Sequence, residues 1–356
     1  MKHKSHAVVL ALGATFAGTA LAQSSVTLYG IVDQSVRYTT NADAANNSSV
    51  QLTNGAITNS RFGFKGEEAL GNGLKAIFDL ESGFDPQTGY LNQGGRMFGR
   101  DAYVGLSGPL GTIKLGRQGT EAFNLYGDYD PLTVGNYTAN SWAFYMTDAR
   151  IDNALSYDAT FEHLHLGATY GFGQQPGSLS KNAYWGARAS YDLGPLSFGA
   201  VYQELHDLAN NAQRMWGLAA RYTTGPAKLF FGYMGGHDAT GIVDASLNDP
   251  SRTVSTGSFV ANPRKDSTFF TGITYQATPA LSLTGAAYYD DIKNVNGISG
   301  NSGKRYTGAL WADYALSRRT QLYATLDYNK VDGGAYTELP GKSNQTGVAV
   351  GIRHIF

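Results

Sequence analysis

Ser178-Leu179-Ser180-Lys181 has the S-x-x-K spacing in which a lysine can activate a serine one helical turn away. It lies in a stretch of Gly, Pro and Ser with no helical periodicity, so nothing is expected to hold the amine against the hydroxyl. His163 and His165 would share one face of a strand, but a metal site needs more ligands and no third one is evident nearby. Asp290 and Asp291 are adjacent and so point to opposite faces, which excludes a carboxylate pair sharing one proton. There is no phosphate loop and no zincin motif. The chain has no cysteine, hence no disulfide framework and no thiolate metal site. These patterns lead us to expect no catalytic residue, no metal and no cofactor.

A second kind of chemistry needs only charge held in place. Arg61 and Lys65 share one parity, and Phe62 and Phe64 occupy the other. Arg150 shares parity with Asp152, Ser156 and Asp158, opposite Ile151, Leu155 and Tyr157. Lys75, Asp79 and Glu81 form a further polar row. Such rows describe a wall with one polar and one apolar face. If the apolar face meets lipid, an arginine turned that way would cost about 2–4 kcal/mol at midplane, so the charges must face the other side.

The elements that carry these rows are strands. Leu322, Ala324, Leu326 and Tyr328 alternate with Gln321, Tyr323, Thr325, Asp327 and Asn329. Similar alternation runs through Leu196–Gln203 and Arg305–Tyr314. Aromatic residues sit at the ends of the apolar rows, as in Tyr202, Tyr222, Tyr275, Tyr314 and Tyr328, where an interfacial girdle needs them. Gly-rich or Pro-containing short turns, such as Gly71-Asn72-Gly73 and Gly194-Pro195, alternate with long polar segments near 41–58, 85–95, 119–148, 174–182, 207–212, 237–264, 292–303 and 332–343. Short turns on one side and long loops on the other are the asymmetry of outer-membrane barrels. The expected fold is all-β: a transmembrane antiparallel barrel of 16 strands, closed by pairing of its first strand with a last strand over 344–356.

Composition agrees. The 356 residues include 45 Gly, 23 Tyr and 17 Phe, with only 15% charged residues. Mean hydropathy is -0.26, which taken alone would also suit a soluble globular protein; no long apolar run follows residue 21, so no transmembrane helix is expected in 23–356. A formal net charge of -1 gives no reason to expect nucleic acid as a partner. Lys2, His3, Lys4 and His6 precede an apolar run from Ala7 to Leu21 and the small-residue site Ala20-Leu21-Ala22. Residues 1–22 therefore read as a cleaved export signal, leaving 23–356 as the barrel.

Several segments resemble the Gram-negative porins of Burkholderia, Comamonas and Neisseria type. They include Gln23-Ser24-Ser25-Val26-Thr27-Leu28-Tyr29-Gly30, Ser60-Arg61-Phe62-Gly63-Phe64-Lys65-Gly66-Glu67-Glu68, Gly116-Arg117-Gln118, Arg150-Ile151-Asp152-Asn153-Ala154-Leu155-Ser156-Tyr157 and the ending Gly351-Ile352-Arg353-His354-Ile355-Phe356. The resemblance covers essentially the whole of 23–356. It implies a homotrimer in the outer membrane, in contact with membrane lipids and lipopolysaccharide, each subunit enclosing a water-filled lumen for small hydrophilic solutes and ions. It also implies that the third external loop, 119–148, folds inward to narrow the pore. That loop carries Tyr126, Tyr129, Tyr137, Trp142, Phe144 and Tyr145, which would then pack on the inner wall. The family places a basic cluster opposite. Arg61, Arg100 and Arg150 fall on the matching positions, with Arg117 and Glu81 nearby, and Glu121, Asp128 and Asp130 are the expected acidic side. The implied function is passive diffusion with weak anion preference. Two other readings stay open: a substrate-specific outer-membrane channel, marked by aromatic tracks in the lumen, and an outer-membrane hydrolase, marked by Ser/His or Asp/His groups converging at one rim.

Overall fold

Residues 25–135 and 139–356 are described by a computed structural model. The export signal expected at 1–22 and Tyr137 lie outside the described residues. Among the described residues, the strands are β1 (Ser25–Thr39), β2 (Ser49–Asn54), β3 (Arg61–Gly71), β4 (Leu74–Gly83), β5 (Asp101–Gly108), β6 (Gly111–Gly119), β7 (Arg150–Phe161), β8 (Leu164–Gly171) and β9 (Tyr184–Leu193). They continue with β10 (Leu196–His206), β11 (Ala212–Thr224), β12 (Ala227–Asp238), β13 (Arg264–Gln276), β14 (Leu281–Lys293), β15 (Gly303–Ala315), β16 (Thr320–Gly333) and β17 (Asn344–Ile355).

These strands make a closed 16-stranded antiparallel barrel, because β2 and β3 share one position in the wall. Strand β1 pairs with β3 through Ser25–Ile31 and with β2 through Gln34–Thr39. The expected loop 41–58 thus contains a strand that its polar composition hides. The break between β2 and β3 folds onto the inner face. Asp33 accepts hydrogen bonds there from the Thr58 amide (3.0 Å) and hydroxyl (3.2 Å), and the Ala56 amide donates to the Tyr323 hydroxyl at 3.0 Å. The expected strand 96–108 begins only at Asp101, since 92–100 is taken up by a turn of the second loop.

Closure is made by β1 and β17, with Ile31 opposite Ile355 and Thr39 opposite Gly347. The Gly30 amide donates to the Phe356 carbonyl at 3.1 Å, and the Phe356 amide donates back to Gly30 at 3.0 Å. A side chain at Gly30 would collide with the Phe356 ring, so glycine lets the two ends meet. Closure pairs the first strand of the wall with the last and so removes the open edge that hydrocarbon would penalise.

The wall is apolar outside and polar inside, the reverse of a protein built for water. On β16, Leu322, Leu326 and Tyr328 are exposed while Thr325, Asp327 and Asn329 are buried. On β15, Leu310 and Tyr314 are exposed while Arg305 and Thr307 are buried. Among the described residues no helix is long and apolar enough to cross a membrane, so the crossing is made by strands. The buried core lies within the lumen. It is made by the 120–149 loop packed on the inner faces of β9 to β16.

Candidate functional site

The 120–149 loop is the longest connection, and it is tied at both ends. The Thr120 hydroxyl oxygen accepts from the Phe123 amide (3.2 Å), capping the helix Glu121–Tyr129. The same hydroxyl donates to the Thr147 carbonyl at 2.7 Å, joining the start of the loop to its end. The helix is then fastened to the wall. The Ala122 amide donates to Gln203 Oε1 (3.1 Å), and the Tyr126 hydroxyl donates to the Tyr233 carbonyl (2.8 Å). Tyr126, Phe144 and Phe270 pack with ring centroids 5.8 to 6.3 Å apart. The aromatic content of the loop serves burial, as expected, although Tyr145 remains 43% exposed.

Fastening the loop this way uses up two of the acids expected at the pore. Glu121 is buried against Arg188 of β9, with Thr169 donating to its other oxygen. Asp130 is buried beneath the loop, accepting from the Val134 amide (2.6 Å), Asn140 Nδ2 (2.9 Å) and the Tyr288 hydroxyl. Burial pushes the Asp130 carboxyl up to about 6, against the pull of those donors. Asp128 is exposed and lines a different cavity, with Asp158, Arg188 and Arg221, where its carbonyl accepts from Arg221 at 3.0 Å. None of the three lines the cavity that holds the arginines.

That cavity, about 780 Å³, lies between the loop and the strands β3 to β7. Arg61, Arg100, Arg117, Arg150 and Glu81 all border it, together with Asp101. Arg100 and Glu81 form a buried ion pair. Arg117 donates to the Gly99 carbonyl (2.7 Å) and to Asp152 (2.6 Å). The Arg61 guanidinium donates to the Asn59 carbonyl, at 3.1 Å. The Arg150 guanidinium lies 5.0 Å from the Phe123 ring, and its Nε has no hydrogen-bond partner. Among the described residues neither Arg61 nor Arg150 forms an ion pair. Their charges therefore act on whatever occupies the cavity.

The loop side is formed by Phe123, Phe144, Tyr145, Thr147 and Asp148. Asp148 is a fourth acid of this loop, read in the sequence as a loop residue but not counted among those of the pore. It ends the helical turn Ser141–Thr147 in a left-handed conformation, with φ of 49°, and accepts from Gln213 Nε2 at 3.3 Å. Burial, reinforced by the charge of Asp238, raises its carboxyl to about 7. The usable signal was its position two residues before Arg150, where a loop returns to the wall. Asp101 was missed because it follows Arg100 directly and strict alternation would turn it outward. Arg100 precedes β5, so alternation does not govern it. Four arginines against Glu81, Asp101 and Asp148 leave the cavity at 4 − 3 = +1, or +2 with Asp148 protonated.

The patterns first considered for catalysis fall elsewhere. Ser178 and Lys181 share a turn in which the Lys181 amide donates to the Ser178 hydroxyl at 3.1 Å. His165 sits between Thr160 and Asp192 at 3.0 Å from each, away from His163, whose ring packs on Tyr191.

Comparison with known proteins agrees with this architecture. A family model described as Gram-negative porin matches residues 7–334. An outer membrane porin protein of Bordetella pertussis is 32% identical over 394 residues, spanning 99% of this chain and 100% of the relative. Outer membrane porin protein 32 of Delftia acidovorans is 31% identical, spanning 95% of this chain and 96% of its own. Among solved structures, the anion-selective porin from Comamonas acidovorans superposes with a TM-score of 0.76 at 27% identity, covering 94% of this chain and 100% of that one. The chain thus belongs to the Gram-negative porins, channel-forming barrels of the outer membrane.

Proposed function

We propose that this porin passes small hydrophilic solutes and ions by passive diffusion with a weak preference for anions, and that the arginine cavity is its constriction. The observation that carries the reading is the convergence of Arg61, Arg100, Arg117 and Arg150 on one water-accessible gap beside the inward loop, two of them without an ion pair among the described residues. A cluster of fixed positive charge at the narrow point of a bore lowers the energy of an anion and raises that of a cation. Arginine suits this role because it stays protonated next to its neighbours. The porin of Comamonas acidovorans is anion-selective, and its likeness to this chain supports the same sign. Glu81 tempers the cluster by holding Arg100, and Asp148 and Asp101 provide the remaining negative charge. Glu121 and Asp130 act as anchors of the loop, and Asp128 belongs to the neighbouring cavity.

The reading includes assembly as a homotrimer, export through cleavage of 1–22, and lipid and lipopolysaccharide around the apolar band. It assigns no catalytic step to the chain. The test is a planar-bilayer recording in a salt gradient. Replacing Arg61, Arg100 and Arg150 together with glutamine should move the reversal potential toward cation preference. A reversal potential equal to wild type would refute the role of the cluster.

A further inference from the structure

At the outer rim a buried ionic network joins two external loops to the loop that borders the arginine cavity. Arg264, the first residue of β13, and Arg305 of β15 are 1% and 2% exposed. Arg264 Nη1 lies 2.8 Å from Asp244 Oδ1 and 2.9 Å from Glu338 Oε1, and its Nε donates to Asp266 at 2.9 Å. The other oxygen of Glu338 accepts from Arg305 Nη1 at 2.8 Å. Glu338 belongs to the external loop after β16, and Asp244 to the short helix Ile242–Leu247 in the loop after β12.

The ion pair of Glu338 and Arg305 reaches the inward loop through Trp142. The Arg305 guanidinium lies over the Trp142 ring, 4.9 Å from its centroid. The Trp142 indole donates to Thr307 Oγ1 at 2.9 Å, and Thr307 is the next inward-facing residue after Arg305 on β15. Trp142 sits in the turn Ser141–Thr147, whose Phe144, Tyr145 and Thr147 border the arginine cavity. From outside inward, the sequence of contacts is Glu338, Arg305, Trp142, cavity wall. Val243 and Leu247 cover the same turn, packing in one cluster with Trp142, Ala143 and Met146.

We propose that Glu338 is a positioning residue for permeation: by holding Arg305 flat against Trp142, it sets where the inward loop stands and hence the bore. The proposal rests on the reading that the arginine cavity is the constriction. The physical reason is the cost of an unpaired buried charge. Glu338 is the only ion-pair partner Arg305 has among the described residues, so neutralising Glu338 leaves that guanidinium buried without a counter-charge. Arg305 must then turn toward Asp290, which faces it across the sheet in β14, or toward water in the lumen. Either movement removes the surface on which Trp142 rests. Among the described residues the ion-pair partner of Asp244 is Arg264, and Arg264 keeps Asp266 and Glu338 when Asp244 is neutralised, so the Arg305–Trp142 contact stays in place.

The test compares Glu338→Gln with Asp244→Asn in the full-length trimer. Single-channel recording reads the bore, and fluorescence of Trp142 reads the contact, with the other tryptophans (Trp185, Trp216 and Trp311) replaced by phenylalanine. The expected result for E338Q is a larger mean conductance, several-fold greater variance of the open-channel current, and red-shifted emission. D244N should keep wild-type conductance and emission. Thr307→Val removes the indole's anchor without stranding a charge and should raise the variance in the same sense, even if E338Q assembles poorly. An unshifted emission in E338Q, or the same conductance change in D244N, overturns the proposal. A red shift with unchanged conductance instead overturns the constriction reading beneath it.

Discussion

Arg150→Gln alone gives a graded and salt-dependent form of the selectivity test. Arg150 is not neutralised by an ion pair among the described residues, and the Phe123 ring of the facing loop lies 5.0 Å from its guanidinium. We take ~5 Å as the distance at which a passing ion meets the charge. In a water-filled bore two unit charges ~5 Å apart interact with ~0.8 kcal/mol. At 0.1 M salt the screening length of ~10 Å reduces this to ~0.5 kcal/mol. The effect is opposite for an anion and a cation, so the anion-to-cation permeability ratio changes by ~1 kcal/mol, or about fivefold. At 1 M salt the screening length of ~3 Å leaves ~0.16 kcal/mol per ion and a change of about 1.7-fold.

The assay is the reversal potential across a planar bilayer under a KCl gradient, at low and at high mean salt. The expected outcome is a ratio reduced about fivefold at ~0.1 M and less than twofold at ~1 M, with conductance nearly unchanged at the higher salt. Glutamine keeps most of the side-chain volume, so a change in bore size would appear as an altered conductance at both salts. An unchanged ratio at low salt would refute the argument that Arg150 acts as a free charge on the permeation path. A change that ignores salt would refute the electrostatic mechanism.

Asp148 makes selectivity depend on pH. With its carboxyl raised to about 7, the cavity charge goes from +1 to +2 as pH falls through that value, so anion preference should rise on acidification, and Asp148→Asn should abolish the step in a pH series of reversal potentials. The same shift carries a stability term. The folded value lies above the ordinary 3.8, so the stabilising effect of protonation is complete below that ordinary value and is lost as pH rises through about 7. On the outer wall, Leu326→Arg at the middle of β16 should lower folding stability in bilayers by about 2–4 kcal/mol, read from denaturant titration of refolding into vesicles. A neutral result there would place that face away from lipid, against a subunit or solvent.

The wall was legible because alternation is a one-dimensional code. Leu326 and Thr325 take opposite sides whatever the rest of the chain does, and lipid outside with water inside enforces that choice along every strand. The basic residues followed for the same reason: Arg61, Arg117 and Arg150 lie in or at the ends of strands, so parity and resemblance together placed them on one cavity. The strand β2 was hidden because it is six residues long and its outward row is only Val50 and Leu52, set in a polar segment. The loop carboxylates were not legible at all. Nothing near Glu121 in sequence reveals that Arg188 waits for it on β9, or near Asp130 that Tyr288 does on β14. Those partners are set by where the loop lands, which depends on the closed barrel.

This division explains why net charge is a poor guide to the permeation path. Residues 23–356 carry 25 basic and 28 acidic groups, once Lys2 and Lys4 are set aside from the 27 and 28 of the whole chain. A uniform view would predict a slightly cation-attracting pore. The acids, however, are spent in fixed structural contacts: Glu121 and Asp130 hold the loop down, and Asp244, Asp266 and Glu338 surround two buried arginines at the rim. A carboxylate paired within ~3 Å with a buried guanidinium has most of its charge offset there, so little of its field is left for a passing ion. The arginines of the cavity are treated differently, since among the described residues Arg61 and Arg150 form no ion pair where the inward loop faces the wall. The sign felt by a passing ion is therefore decided by which charges the fold leaves unpaired at the bore, and there the balance is positive.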